Sequence, residues 1–195
     1  MIRSYLISAA SYAIFFLLIY FVIKFIYKKK KKETLNIKHE IAIGIFLAYL
    51  VGLLSQTILP LWQCGFINGE FYLQFNRYGN DSINLIPFKT IYTYLFTEQD
   101  MAAWKNVCQL NILANIGLFL PFGFLLPFIK KKNTAYKIIL TGMFMSVFIE
   151  VMQIFIGRSS DIDDVILNTL GTTFGYLCYR IMVKICNRKQ SRQVA

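Results

Sequence analysis

Charged side chains are scarce in this sequence, and histidine is almost absent. Charged residues make up 16% of the 195 residues, whereas a soluble domain is usually about one quarter charged. The one histidine, His39, stands beside lysines, which argues against a Ser-His-Asp or Cys-His catalytic site. A glycine-rich phosphate loop and an HExxH zinc motif are both missing. These absences disfavour the familiar soluble hydrolases and nucleotide-binding enzymes, and the low charge indicates a membrane protein.

Apolar residues, in contrast, make up 56% of the chain and are concentrated in five runs. A helix needs about 20 apolar residues to cross the hydrocarbon core of a bilayer. We therefore predict an all-α, polytopic bundle of about five transmembrane helices, at residues 5–27, 41–61, 112–129, 138–156 and 165–183. The first run lacks a cleavage site and is predicted to be an anchor. The third carries Pro121 and Pro127, so it is either a full crossing or a re-entrant or broken segment.

The basic residues lie at the ends of these runs, although the net charge is +11. That pattern is typical of membrane topology and argues against nucleic-acid binding, which needs a basic face on a soluble fold. Five crossings with the N-terminus outside place sixteen of the 21 basic residues in the cytoplasm and leave five outside: Arg3, Arg77, Lys89, Lys105 and Arg158. The positive-inside rule therefore predicts a cytoplasmic C-terminus.

A polar but aromatic-rich stretch separates the second and third runs. We predict one membrane domain, 1–195, made of an N-terminal helix pair (1–61), this outer segment (62–110), a helical core (111–184) and a basic cytoplasmic tail (185–195). The aromatic residues favour a position on or in the outer interface, with a short helix from Pro87 to about Phe96. The alternative is a loop that caps the bundle. A disulfide between Cys64 and Cys108 is sterically possible.

Acidic and amide side chains near the outer ends of the last three runs form the candidate site. Glu150 lies about 10 Å below the outer end of its helix, where a carboxylate is costly and usually faces the bundle interior. Asp161 or Ser160 is a natural N-cap for the fifth helix. One face of that helix then presents an acidic stripe that ends in a GxxxG pattern, and its glycines are expected to press the stripe against a neighbouring helix. The stripe consists of Asp161, Asp164, Asn168, Gly171 and Gly175. The predicted site comprises Asn115, Glu150, Gln153, Arg158, Asp161, Asp164 and Asn168. The alternative is a structural polar network that locks the helices together.

At these residues the chain resembles the VanZ family of bacterial membrane proteins. The matching pieces appear in family order, cover about residues 84–176 and leave the first two helices outside. They are Asn84-Leu85-Ile86-Pro87-Phe88, Asn115-Ile116-Gly117-Leu118-Phe119-Leu120-Pro121-Phe122-Gly123, Glu150-Val151-Met152-Gln153 and 161–171, which reads DIDDVILNTLG. The resemblance implies a multi-pass protein of the bacterial cytoplasmic membrane. The family's namesake is linked to resistance to teicoplanin-type glycopeptide antibiotics.

Three functions are consistent with the sequence. The first is a cell-envelope protein that alters the binding of glycopeptides or lipid-linked wall precursors at the outer surface. The second is an intramembrane enzyme acting on a lipid-linked phosphate or pyrophosphate, in which Glu150, Asp161 and Asp164 would be catalytic and Asn115, Gln153, Arg158 and Asn168 would bind substrate. Carboxylates and amides could there hold a divalent cation such as Mg²⁺. The third is transport or proton coupling through Glu150, which the lack of an internal repeat disfavours. Membrane lipid is an expected partner in each case, and the oligomeric state stays open.

The orientation yields the first testable prediction. A protease added to intact cells should leave a C-terminal tag uncut, because the basic tail is predicted to be cytoplasmic. The tag should become sensitive once the membrane is permeabilised, which serves as the control. Cleavage in intact cells would overturn the predicted orientation.

Overall fold

A computed structural model describes residues 14–24, 26–27, 37–58, 62–67, 70–75, 82–96, 102–129 and 134–194. Six helices and four short strands occur in this part of the chain. In chain order they are α1 (Ile14–Lys24), α2 (Ile37–Thr57), β1 (Trp62–Ile67), β2 (Glu70–Phe75), β3 (Ile83–Asn84), α3 (Lys89–Phe96), α4 (Ala102–Ile129), α5 (Ala135–Phe155), β4 (Ser160–Asp161) and α6 (Ile162–Val194). The architecture is therefore helical, as predicted, with two small two-stranded ladders, β1 with β2 and β3 with β4.

The chain divides into two compact units. The first consists of Met1–Ile83 and Val151–Ser160, and the second of Asn84–Glu150 and Asp161–Ala195. Most of the acidic and amide residues of the predicted site belong to the second unit, which contains α3, α4, most of α5 and α6.

Within the described residues, three helices are long and apolar enough to cross a membrane. They are His39–Thr57 of α2, Val107–Ile129 of α4 and Ala135–Phe155 of α5, and they correspond to the second, third and fourth predicted spans. The first predicted span is described only at 14–24 and 26–27, so its remainder lies outside the described residues.

Helix α6 covers the whole fifth predicted span but is not among these three, because Asn168, Thr172 and Arg180 dilute its apolar run. The fifth crossing stays a prediction. One face of α6 nevertheless exposes Leu170, Phe174, Leu177 and Ile181 at helical spacing. An exposed apolar face of this size is what a lipid-facing helix requires.

Helix α4 runs without interruption through both of its prolines, Pro121 and Pro127. The broken or re-entrant alternative for this segment is therefore wrong. The helix also begins at Ala102, ten residues before the predicted start at 112, because residues 102–111 contain neither proline nor glycine. The first residues of this helix therefore belong to the predicted outer segment (62–110), whose bounds stay a prediction. Cys108 is a free cysteine on the buried side of α4, whereas the side chain of Cys64 lies outside the described residues, so the disulfide between them stays a prediction.

An antiparallel hairpin in the first unit was not predicted. Strands β1 and β2 pair from Trp62 with Phe75 to Ile67 with Glu70. The sequence between Ile67 and Glu70 is Asn-Gly, the dipeptide most typical of a two-residue hairpin connection. The Asn-Gly dipeptide is a local signal for a hairpin, whereas the aromatic residues around it are typical of a membrane interface.

Helices α4 and α6 approach each other closely along the predicted GxxxG pattern. A Cβ atom added at Gly171 would collide with the backbone carbonyl of Ile116, and one at Gly175 would collide with that of Leu120. Gly123 of α4 makes the reciprocal approach, against the carbonyl of Thr172. The expectation that these glycines press the acidic stripe against a neighbouring helix is confirmed, and the neighbour is α4.

This close approach leads to a stability prediction. Gly171→Ala should lower the Tm of the detergent-solubilised protein by at least about 2 °C, since overpacking against backbone costs roughly 1–3 kcal/mol. Gly117→Ala is the matched control on α4, because a Cβ there meets nothing within 4 Å, and it should leave Tm unchanged or slightly raised. Thermal unfolding measures both. Equal effects of the two substitutions would contradict the packing described.

Candidate functional site

The start of α6 is capped by its own acidic residues. The backbone N–H of Asp163 donates to Oδ1 of Asp161 at 2.9 Å, the contact that an N-cap carboxylate makes with the second residue of a helix. Two further acids follow in the first turn, where the positive end of the helix dipole favours negative charge. The predicted cap at Asp161 is confirmed, and it fixes the directions in which the neighbouring carboxylates point.

Asp163 is fully buried, and its carboxylate caps a different helix, α3. Oδ1 accepts a hydrogen bond from the backbone N–H of Phe88. Oδ2 accepts two more, from Thr90 N at 2.8 Å and Ile91 N at 3.0 Å. The side chain has 0% exposure. A buried carboxylate requires such donors, because without them its desolvation would cost several kcal/mol.

Every backbone donor at the start of α3 is thereby accounted for. Lys89 N donates to Ile86 O at 3.4 Å, and the first regular helical bond runs from Tyr92 N to Phe88 O at 2.8 Å. Phe88 itself has a positive φ of 65°, an uncommon conformation for a bulky residue that costs about 1–3 kcal/mol. In this conformation Phe88 N donates to Asp163, so the strain is maintained by the buried carboxylate.

Asp161 binds the segment just before α3. Its Oδ1 accepts from Asn84 Nδ2 at 2.9 Å, and its Oδ2 accepts from the hydroxyl of Thr90. The side-chain oxygen of Asn84 in turn accepts from Ile86 N at 3.2 Å, which closes a local turn before Pro87. Asp161 and Asp163 together accept six hydrogen bonds, three each, and five of these come from the 84–91 segment.

Glu150 connects α5 to the cluster formed by Asp161, Asp163 and the 84–91 segment. The carboxylate is buried, and Oε2 accepts from the backbone N–H of Asp161 at 2.9 Å. The prediction that Glu150 faces the bundle interior is confirmed. This hydrogen bond holds Asp161, the residue just before α6, in position.

Asp164 faces α4, on the side of α6 that carries the glycines. Its Oδ1 accepts from Nδ2 of Asn115, which confirms that these two predicted site residues meet. One turn earlier on α4, Asn111 hydrogen-bonds the hydroxyl of Tyr94 of α3. Burial raises the pKa of the Tyr94 phenol above its ordinary value.

Asn168 lies one turn deeper than Asp164. It is 4% exposed, and its Nδ2 donates to the buried hydroxyl of Ser146 at 2.8 Å. Its carbonyl oxygen, Oδ1, is buried and has no hydrogen-bond partner among the residues that the structure describes. A buried acceptor of this kind is costly unless a water molecule or a ligand satisfies it.

Gln153 and Arg158 make their contacts in the first unit. Helix α5 ends at Phe155, and Gly157 just after it has a φ of 74°, which allows Arg158 N to bond Gln153 O at 2.9 Å in a Schellman-type cap. From this cap the Arg158 guanidinium donates to the carbonyl of Thr57 at 2.9 Å, and Gln153 Nε2 reaches the same carbonyl at 3.4 Å. Both side chains therefore bind the last turn of α2.

Of the seven predicted site residues, the second unit holds five, and their hydrogen bonds connect α3, α4, α5 and α6: Asn115, Glu150, Asp161, Asp164 and Asn168. Sequence reasoning missed Asp163, Thr90 and Asn84 as members of the cluster. A signal for Asp163 existed, because Phe88 cannot cap the helix that follows it and a cap from elsewhere was required. Its position in the chain could not be inferred, since it lies more than 70 residues away.

A metal ion does not fit the acidic residues as they are arranged. Among the residues that the structure describes, no three His, Cys, Asp or Glu side chains are grouped so as to hold one. Asp161 and Asp163 instead direct their oxygens to protein donors. The possible Mg²⁺ therefore has no ligand set of three such side chains in this part of the chain.

A comparison with protein families gives a match. A family model described as VanZ/LLP1 matches residues 46–183. The matched region is wider than the four sequence motifs, because it begins inside α2 and extends to residue 183 of α6. No curated protein and no solved structure matches the chain.

The buried cap gives a second stability prediction. Asp163→Ala leaves three backbone donors without acceptors, at about 1–3 kcal/mol each, and should lower Tm by about 6 °C or more. Limited proteolysis should then cut within residues 84–101. Glu70→Ala removes an exposed acid from β2 and is the matched control. If the two variants unfold at the same temperature and resist protease equally, Asp163 does not cap α3.

Proposed function

The chain belongs to the VanZ/LLP1 family, and from this premise we propose that it is a cell-envelope protein of the bacterial cytoplasmic membrane. We propose further that it alters susceptibility to teicoplanin-type glycopeptides, or handles lipid-linked wall precursors, at the outer face. Family membership and three apolar helices long enough to span a bilayer make it a membrane protein. The proposed role at the outer face is supported by the geometry of the acidic and amide side chains.

The observation that carries the proposal is the attachment of the 84–91 segment to the acids of α6. Five hydrogen bonds fix this segment to Asp161 and Asp163. A surface whose backbone is held in this way is preorganised, so a ligand that binds it does not have to order it first. We infer that the acids act by positioning the outer segment, which then contacts the lipid-linked precursor or the glycopeptide.

This arrangement favours binding over chemistry. A catalytic carboxylate needs an oxygen directed at the reacting group. The oxygens of Asp161 and Asp163 are instead directed at Asn84, Thr90 and backbone amides. These two acids are therefore assigned a positioning role.

One observation favours the enzymatic alternative. Asn168 Oδ1 is a buried acceptor that finds no donor within the described part of the chain. The residue lies one turn below Asp164, and its amide nitrogen donates to Ser146. A substrate group that donates a hydrogen bond would satisfy it. Purified protein that turns over a lipid-linked phosphate or pyrophosphate, and loses this turnover in Asn168→Ala, would support an intramembrane enzyme. Saturable binding without turnover would support the first proposal.

Susceptibility assays test the proposal in cells. Expression in a glycopeptide-susceptible host should raise the minimum inhibitory concentration of teicoplanin by more than the dilution step of the assay. Glu150→Ala, Asp161→Ala and Asp164→Ala should each abolish this increase at unchanged protein level, because each removes a hydrogen bond that orders the site. Gln190→Ala, on the exposed end of α6, is the control and should retain the increase.

The conservative variants Glu150→Gln and Asp164→Asn separate two explanations of such a loss. Retention of the phenotype would show that hydrogen bonding suffices, and loss would show that the charge is required. Full retention of the phenotype in all three alanine variants would contradict a functional role for the cluster.

A further inference from the structure

The segment from β3 to the end of α3 has a pronounced apolar surface that no other described element covers. Leu85 is 73% exposed and Phe96 is 66% exposed. Phe88, Tyr92 and Phe96 follow one another at four-residue spacing, so they lie on one face, and the rings of Tyr92 and Phe96 are 5.1 Å apart. A soluble loop that capped the bundle would be expected to turn its polar residues to this side.

The polar side of the same segment faces the protein and is satisfied there. Asp163 and Asp161 accept the hydrogen bonds of its side chains and of the first backbone amides of α3. Irregular backbone can lie at membrane depth only where its polar groups are satisfied within the protein. The backbone N–H groups of residues 86–91 meet this condition, since each has an acceptor within the protein and Pro87 has no N–H.

The level of the segment relative to the bilayer follows from Tyr94. This side chain bonds Asn111 of α4, which lies four residues, or about 6 Å, inside the apolar span Val107–Ile129. Around Asn111, α4 exposes Val107, Leu110 and Leu113. The apolar surface of the segment therefore continues the lipid-facing surface of α4 at the same depth.

The charge of the segment also fits a lipid leaflet. Residues 82–96 contain one lysine and no acid, and Lys89 is exposed. A single cation next to aromatic side chains is complementary to phosphate headgroups above an acyl layer.

We propose that the Leu85–Phe96 segment is inserted in the lipid leaflet that contains the N-terminal end of α4. Leu85, Phe88, Tyr92 and Phe96 contact acyl chains, while Asp161 and Asp163 satisfy its polar groups from inside the protein. The segment is thus a lipid-embedded surface rather than a water-exposed cap. This property concerns the same segment to which the proposed function assigns ligand contact, but it does not rest on that function and holds for either orientation of the chain.

Depth-dependent fluorescence quenching tests the proposal on the full-length protein. In a background with Trp62→Phe and Trp104→Phe, which removes both native tryptophans, Phe96→Trp is reconstituted into phosphatidylcholine vesicles whose acyl chains are brominated. The tryptophan should be quenched about as strongly as the positive control Leu113→Trp on the exposed face of α4. It should be quenched several-fold more strongly than Gln190→Trp on the basic tail.

A second probe on the same face, Tyr92→Trp, keeps the test decisive if Phe96→Trp fails to fold. Each variant is first checked for a thermal transition like that of the parent. Quenching of the α3 probes at the level of Gln190→Trp, together with their quenching by aqueous iodide, would overturn the proposal. Because no antibiotic enters the measurement, its result does not depend on the susceptibility assays.

Discussion

The carboxylate of Asp163 is the interaction on which the site depends. It is buried, it carries the acceptors that α3 lacks in its own sequence, and it holds Phe88 at positive φ. Neither partner is stable without the other. The carboxylate needs the amide donors to offset its desolvation, and the amides of Thr90 and Ile91 need an acceptor because they precede the first regular helical bond of α3. This mutual requirement makes the end of the outer segment a fixed part of the bundle.

Close packing of α4 and α6 fixes the position of the first turn of α6, from which Asp163 makes that interaction. Glycines at the helix contact let the two backbones touch, and the stripe that carries them begins with Asp161 and Asp164. Asp164 then meets Asn115 across the contact. Asp163, about 100° away around the helix from Asp164, is free to point at α3. The start of α6 thus carries the Asp163 carboxylate that caps α3, then the contact of Asp164 with α4, and then the buried amide of Asn168.

The positions of most helices and of the helix contact could be predicted from the sequence. The remaining features depend on contacts between residues far apart in the chain. Apolar length identified α2, α4 and α5 as membrane-capable helices, the glycine spacing identified the close contact, and Pro87 predicted the start of α3 to within two residues. The hairpin was missed although its Asn-Gly signal was visible. The cap from Asp163 and the binding of Thr57 by Arg158 could not be inferred, because each joins residues about 70 to 100 apart and neither side shows its partner in its own local pattern.

The central claim is that a buried carboxylate on α6 satisfies the first amides of α3, and hydrogen exchange at single residues measures this most directly. Thr90 and Ile91 precede the first regular helical bond of α3, so nothing within the helix protects their amides. The account predicts that both exchange slowly in the native protein and become fast in Asp163→Ala, while amides in the middle of α5 stay protected. Fast exchange of Thr90 and Ile91 in the unmodified protein would contradict it.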